Sequence, residues 1–321
     1  LIVSGLVKNI KQIMGFFEKT FWAHQFGDMD RLYQIIIKVL KLLDDYEFIV
    51  TEKDLKDDSD FVSADEMKKK SDDDIEVKAT LLGQRTSQLY IDPLTANELI
   101  KGIKRTKDKQ CIDFSFIQLV CYTLEMRPLL NIRVKEMEDI QEKLNYYESS
   151  LLSHQPSMYD SDYEEYLRSV KTSLMLNEWI NEKDEEYILE TYNARPGEIR
   201  VKIDNADWLL YGTAELAKLL KCHNIVSHVD KIRYRLKYGV REELLPLLKL
   251  KNIGRVRARK LYKNKINNIG DVKSVDITTL VQLLGKALAI DIKRQVGEEV
   301  IEADVKGKKR KRKGQVSLLD Y

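Results

Sequence analysis

The sequence predicts a mainly α-helical chain, and three observations carry that expectation. Apolar residues recur at spacings of three and four over most of the 321 residues. The strict alternation of a strand is confined to one short stretch near residue 80. Turn signals separate the periodic segments: Gly27–Asp28, Gly83, Asp92–Pro93, Arg127–Pro128 and Ala194–Glu198. Hydrophobic residues make up 43% and charged residues 33%, enough apolar material to bury sizeable cores in two or three domains. No apolar run approaches the roughly 20 residues that span a bilayer, and there is no signal-peptide pattern, so no membrane partner is expected. Cys111, Cys121 and Cys222 are far apart and never form a CxxC pair. That spacing points to a reducing, cytoplasmic compartment and away from a disulfide scaffold or zinc ribbon. The chain opens at Leu1, inside a hydrophobic segment, and reads as a piece of a longer protein.

The elements follow in order. Leu6, Ile10, Ile13, Met14 and Phe17 repeat with helical spacing, and Leu32, Ile35, Ile36, Val39, Leu40 and Leu43 repeat it after Gly27–Asp28. Thr51–Lys78 holds 11 acidic and 6 basic residues and reads as an exposed loop or wing. Ile75–Leu81 alternates like a short strand that Gly83 ends, and a helical turn is expected from Ser87 to Ile91. Helices followed by a short hairpin over residues 1–92 fit a winged helix; a generic helical subdomain is the alternative. From Leu94 to about Lys231 the spacing is helical throughout. It predicts helices over Asp113–Thr123, Val134–Tyr147, Tyr163–Ile180 and Asp184–Tyr192, then a long one from about Pro196 to Leu220. Domains are therefore expected at 1–92, 93–232 and 233–305, with a basic tail at 306–321.

Charge is distributed unevenly. Asp230–Lys313 carries 24 Lys/Arg against 10 Asp/Glu, whereas the first 229 residues carry 30 against 41. A basic C-terminal third on an acidic chain fits a polyanion partner, and fits a solvated surface with a basic tail equally well.

Three features can carry chemistry. The first is Leu250-Lys-Asn-Ile-Gly-Arg-Val-Arg-Ala-Arg-Lys-Leu261, which resembles a helix-hairpin-helix DNA-binding motif. A tight turn there aims helix N-terminal N–H groups at a backbone phosphate. Gly254 permits close approach, and Asn252, in place of a usual glycine, tolerates the left-handed region. Val256, Ala258 and Leu261 are expected inward, with Arg255, Arg257 and Arg259 near phosphates. Ile269–Val272 and Leu284–Leu288 look like a weaker second copy. The second feature is the long helix. Ile199, Ile203, Ala206, Leu210, Thr213, Ala217 and Leu220 form one stripe at 100° per residue, and Trp208 falls opposite, with Arg200 and Tyr211 on one flank. An indole there suits stacking on an unpaired base or packing on a neighbouring domain. The third is Gln315-Val-Ser-Leu318-Leu-Asp-Tyr321, similar to peptides that dock on sliding clamps, with Gln315, Leu318 and Tyr321 as anchors.

No GxxxxGK[ST] loop is present, and Gly285-Lys286-Ala287 lacks the loop glycine and the hydroxyl such a site needs. Nucleotide hydrolysis by this chain alone is not expected. Cys222, His223 and His228 lack a suitably spaced fourth ligand, so no zinc site is expected. His24 and His154 have no sequence partner that points to catalysis.

The chain resembles the C-terminal half of archaeal Hjm/HELQ-type superfamily-two DNA helicases. The resemblance rests on Leu82–Pro93, Leu124–Pro128, Tyr166–Leu174 with Trp179–Ile180, Pro196–Arg200, Ala206–Tyr211, Tyr238–Leu244 and Gly254–Arg259. It implies a winged helix, a helical ratchet domain and a helix-hairpin-helix domain. It also implies two preceding RecA-like motor domains that use ATP and magnesium. It places Trp208, with Arg200, on the ratchet helix that stacks on single-stranded DNA, and Arg255, Arg257 and Arg259 in a basic hairpin. The implied partners are single-stranded and forked DNA, the motor domains and a sliding clamp; the implied setting is the nucleoid and the repair of replication forks. A stand-alone nucleic-acid-binding adaptor to the clamp is the alternative.

Overall fold

The computed structural model describes residues 1–51 and 75–298. Most of the Thr51–Lys78 wing, the basic tail and the clamp-like residues Gln315, Leu318 and Tyr321 lie outside the described residues. The expectation of a mainly α architecture holds: the described residues form fifteen α-helices and one two-stranded sheet. They divide into two compact units, Leu1–Asn177 with Tyr192–Arg233, and Glu178–Thr191 with the chain from Tyr234 onward.

The first unit begins with α1 (Ile10–Phe17), α2 (Phe21–Phe26) and α3 (Met29–Asp45). The side chains of Asn9, Thr20 and Asp28 accept the first-turn amides and set where each helix starts. Helix α1 therefore starts after Leu6, which is exposed rather than part of the apolar stripe. Gly27, at φ +67°, ends α2 in the left-handed region. Strands β1 (Ile49–Thr51) and β2 (Val77–Ala79) pair antiparallel, Ile49 opposite Ala79 and Thr51 opposite Val77. Ile10, Ile13, Leu32, Ile36, Leu40, Ile49 and Val77 close one core between these helices and the sheet.

Helix α4 runs over Leu81–Gln88, earlier than the turn expected at Ser87–Ile91. Thr80 caps it through the Gly83 amide. Gly83 is not the end of a strand but the point where α4 meets the sheet: a Cβ there would lie 1.9 Å from the Phe48 carbonyl oxygen. Next come α5 (Pro93–Arg105), with Pro93 in the first turn after the Asp92 cap, α6 (Asp113–Cys121), α7 (Met137–Tyr147) and α8 (Tyr163–Ile180). Helix α9 (Glu185–Tyr192) belongs, but for Tyr192, to the second unit; α10 (Pro196–Leu219) and α11 (His223–Tyr238) follow it. The 24-residue α10 packs on α4, α5 and α6 and is the spine of the first unit. The buried Lys202 of α10 donates to the carbonyls of Met126 and Pro128 and so ties the loop after α6 to this spine.

The second unit holds α12 (Arg255–Lys263), α13 (Ile269–Ser274), α14 (Ile277–Leu284) and α15 (Lys286–Gln295). Its core is Val240, Leu244, Leu247, Leu250, Ile253, Ala258, Leu261, Ile266, Val272, Leu280, Ala289 and Ile292. Trp179 belongs to this unit, and its indole N–H donates to the Leu236 carbonyl at 2.7 Å. The ring lies so close to Gly239 that a Cβ there would sit 2.6 Å away, and Gly239 also has φ +62°. Only glycine satisfies both conditions.

Candidate nucleic-acid interface

Within the first unit, six of the seven residues of the expected α10 stripe are buried, Ile199, Ile203, Ala206, Leu210, Thr213 and Ala217, while Leu220, the C-cap, is half-buried. Leu209, Gly212 and Leu216 are buried as well, so the core side is wider than one stripe. What remains toward solvent is a narrow strip. It holds Arg200, Val201, Asp204 and Tyr211, all exposed, with Trp208 half-buried among them. The structure thus brings Arg200, Trp208 and Tyr211 onto one face. The Trp208 indole N–H donates to the Leu89 carbonyl at 3.0 Å, just past the end of α4. That bond fixes the ring's orientation and leaves it only partly covered. Arg200 reaches Asp204 at 3.1 Å, an exposed pair one turn apart.

Two residues outside the sequence reading frame Tyr211. The Arg233 guanidinium lies 4.9 Å from the ring centroid and also bonds Asp207 at 3.0 Å and Asp230 at 3.2 Å. Arg85 of α4 pairs with Glu215 and reaches the Tyr211 hydroxyl at 3.5 Å. The hydrogen bond to Glu215 raises the Arg85 pKa, and hydrogen bonds from Lys218 and then Arg85 hold the Glu215 carboxyl below its ordinary value. Arg85 and Arg233 are remote from α10 in sequence, so helical periodicity alone gives no signal for them.

In the second unit, the turn before α12 has the expected backbone. Asn252 sits at φ +64°, and Gly254 is the N-cap, with no atom within 4 Å of where a Cβ would be. An open pocket of about 510 Å³ at this turn is lined by Lys249, Lys251, Asn252, Gly254 and Arg257. The free amides of the α12 N-terminus open here, which makes the turn suited to an anion.

The three arginines divide. Arg257 is exposed and donates to the Asn252 carbonyl at 2.8 Å. Arg255 is half-buried, lies 5.2 Å over the Trp179 ring and donates to the Lys183 carbonyl at 2.8 Å. Burial lowers its pKa. Arg259 binds Glu182 through two nitrogens and Glu243 at 2.9 Å, and the Glu182 hydrogen bond is the largest cause of its raised pKa. Burial opposes the Glu182 charge, yet the bonds from Arg259 and the Arg241 amide hold that carboxyl below its ordinary value. Val256, expected inward, is 78% exposed. At 100° per residue it lies about 200° from Ala258, so both cannot face the core, and the buried Ala258 and Leu261 take that side.

No group of three or more His, Cys, Asp or Glu side chains is placed to hold a metal among the described residues. Cys222 is buried, and His228 pairs with Asp113 at 2.8 Å. Burial pushes the Cys121 thiol up to about 12. No described helix is long and apolar enough to cross a membrane.

Residues 114–239, which include Arg200, Trp208 and Tyr211, match the family model described as "Archaeal helicase, domain 4". Similarity extends well beyond that segment. The chain is 36% identical to the ATP-dependent DNA helicase Hel308 of Thermococcus kodakarensis over 100% of its own length. It is 32% identical to that of Pyrococcus abyssi over 100%, and 32% identical to that of Methanococcus vannielii over 93%. The chain belongs to the archaeal Hel308 helicase family. It spans 27%, 41% and 42% of those three relatives, less than half of each. Within this Hel308-family chain, α10 lies entirely inside the domain 4 match, whereas α12 and its hairpin follow it.

Proposed function

We propose that this chain is the DNA-gripping portion of an ATP-dependent 3′–5′ DNA helicase that works at replication forks in DNA repair. The observation that carries the reading is the solvent strip of α10, where Trp208 stands between Arg200 and Tyr211 on an otherwise core-facing helix. An oriented, partly open indole offers a flat surface to an unpaired base, and stacking is indifferent to base identity. Arg200 lies within reach of the same strand's phosphates. A helicase needs such a sequence-tolerant hold to keep each step from slipping back. In the second unit, the α12 N-terminus, Gly254 and Arg257 form a separate contact for a backbone phosphate. Residues 1–92 serve as a winged helix and residues 233–305 as a helix-hairpin-helix domain.

ATP and magnesium belong to the RecA-like motor domains of the parent, which are the direct partners of this portion. The chain alone lacks a phosphate-binding loop and is inactive as an ATPase. The test is Trp208→Ala in the full-length parent: unwinding falls at least tenfold while ATP binding is unchanged. Unwinding at the parental rate contradicts the reading. A second role rests on Gln315, Leu318 and Tyr321, which resemble a clamp-docking peptide at the end of a basic tail. Deleting residues 315–321 then abolishes capture by a sliding clamp and leaves DNA binding intact.

A further inference from the structure

The first unit carries a second basic feature that the ratchet helix does not account for. Residues 101–109, Lys-Gly-Ile-Lys-Arg-Thr-Lys-Asp-Lys, contain five basic residues and one acidic one. They lie in a stretch of 229 residues where acidic residues outnumber basic ones, 41 to 30. The segment is the last turn of α5 and the loop after it. A pocket of about 450 Å³ opens there, lined by Arg105, Lys109, His154, Gln155, Asp108 and Glu148 among others.

The pocket's two cations are anchored rather than free to swing. Arg105 donates to the Leu152 carbonyl at 2.6 Å, and Lys109 donates to the Leu151 carbonyl at 2.7 Å. Each bond uses one donor of a group that has several: an arginine has five N–H groups and a lysine three. Both cations are half-buried, both line the pocket, and they are held by the adjacent carbonyls of Leu152 and Leu151. Their acceptors are neutral, so neither charge is cancelled by an ion pair. Lys104 and Lys107 stand exposed beside them and have no side-chain partner among the described residues. Asp108 and Glu148 moderate the local field. Against Lys104, Arg105, Lys107 and Lys109 they leave it positive.

Cations are favoured at a helix C-terminus, which accounts for some of this charge. The helix dipole does not account for five cations in nine residues, or for two of them fixed at a pocket. We propose that this pocket holds a backbone phosphate of DNA, with Arg105 and Lys109 as direct ligands and Lys104 and Lys107 drawing in the adjoining phosphates. It is a third contact in addition to Trp208 and the α12 hairpin. The inference rests on the reading of the chain as DNA-binding.

The experiment measures binding of this chain to a fluorescent single-stranded oligonucleotide over a range of salt. The variants are Lys104→Glu with Lys107→Glu, and Lys109→Gln, which keeps a donor to Leu151 and removes the charge. The control is Lys135→Glu with Lys221→Glu, exposed lysines outside the 101–109 segment. The double reversal at 104 and 107 weakens binding about tenfold at low salt, and Lys109→Gln lowers the salt slope by about one. The control changes binding less than twofold. Because Lys104 and Lys107 are exposed and have no side-chain partner among the described residues, their reversal tests the idea even if Lys109→Gln lowers stability.

Trp208→Ala and Arg257→Ala, run alongside, distinguish failure of the pocket site from failure of DNA binding by the chain. If they weaken binding while the 104/107 and 109 variants match the parent chain, the pocket is not a phosphate site and the DNA reading stands. If the control weakens binding as much as the 104/107 pair, the effect is overall charge and the pocket proposal falls. If the chain binds no oligonucleotide, both fall together.

Discussion

The solvent strip of α10 and the N-terminal turn of α12 look alike in sequence, each offering cations and open surface on a helix, but their side chains are committed differently. On α10 the residues of interest share one face, and the hydrogen bond from the Trp208 indole to Leu89 orients the ring without enclosing it. On α12 all three arginines have partners in their own unit, but two are half-buried against more distant segments, Arg255 on Trp179 and Lys183 and Arg259 on Glu182 and Glu243, while the exposed Arg257 bonds the nearby Asn252 carbonyl. The helical period explains the split. Arg255 and Arg259 are four residues apart and lie about 40° from one another, while Arg257 falls on the other side. An Arg-x-Arg-x-Arg run therefore cannot present three equal fingers to one phosphate chain. Here it presents Arg257 outward and uses the other two to hold the hairpin in place.

Substitutions on α12 sharpen that contrast, and the largest effect is expected at Arg259. Arg259→Ala leaves Glu182, only 14% exposed, and Glu243 without their cation. Removing one member of such a network costs about 3 kcal/mol, read as a lower midpoint in chemical denaturation of the second unit. A cost under about 0.5 kcal/mol would place Arg259 with the surface residues.

Acid probes the same network. Glu182 and Glu243 have native pKa values below their ordinary 4.5, so their stabilising effect is fully present above that value. It is lost as pH falls from 4.5 through the lower native values. Denaturation of the second unit followed against pH should show this loss, and Arg259→Ala should flatten it. An unchanged acid profile in that variant would break the link between the arginine and the two carboxylates.

The smallest effect on stability belongs to Arg257. Arg257→Ala shifts stability by less than about 0.5 kcal/mol, yet lowers the slope of log affinity against log salt by about one. Should it destabilise the unit as Arg259→Ala does, the division of roles on α12 is wrong.

Much of this was legible in the sequence, for stated reasons. Helix α8 has the predicted bounds, Tyr163–Ile180, because a long amphipathic run offers few alternatives. The buried stripe of α10 and the position of Trp208 off it followed from the same period. Asn252 at positive φ followed from its side-chain chemistry. The misses are equally physical. Gly83 looked like a strand terminator, because its requirement, close approach of the Phe48 carbonyl, comes from a residue 35 positions earlier. The arginines of α12 looked equivalent because the acids that distinguish them, Glu182 and Glu243, sit on other segments. Arg85 and Arg233 were invisible as neighbours of Tyr211 for the same reason: tertiary contacts place them there. Val256 could have been assigned correctly from the helical period alone.

The proposed grip on DNA depends on Trp208 stacking on a base of a single strand. Its most direct test is the intrinsic fluorescence of this chain, which has three tryptophans, during titration with an unlabelled single-stranded oligonucleotide. Stacking predicts quenching that saturates with binding and is lost in Trp208→Phe, whose residual signal stays flat. Quenching of equal depth in Trp208→Phe, or saturated binding with no quenching in the parent chain, would contradict it.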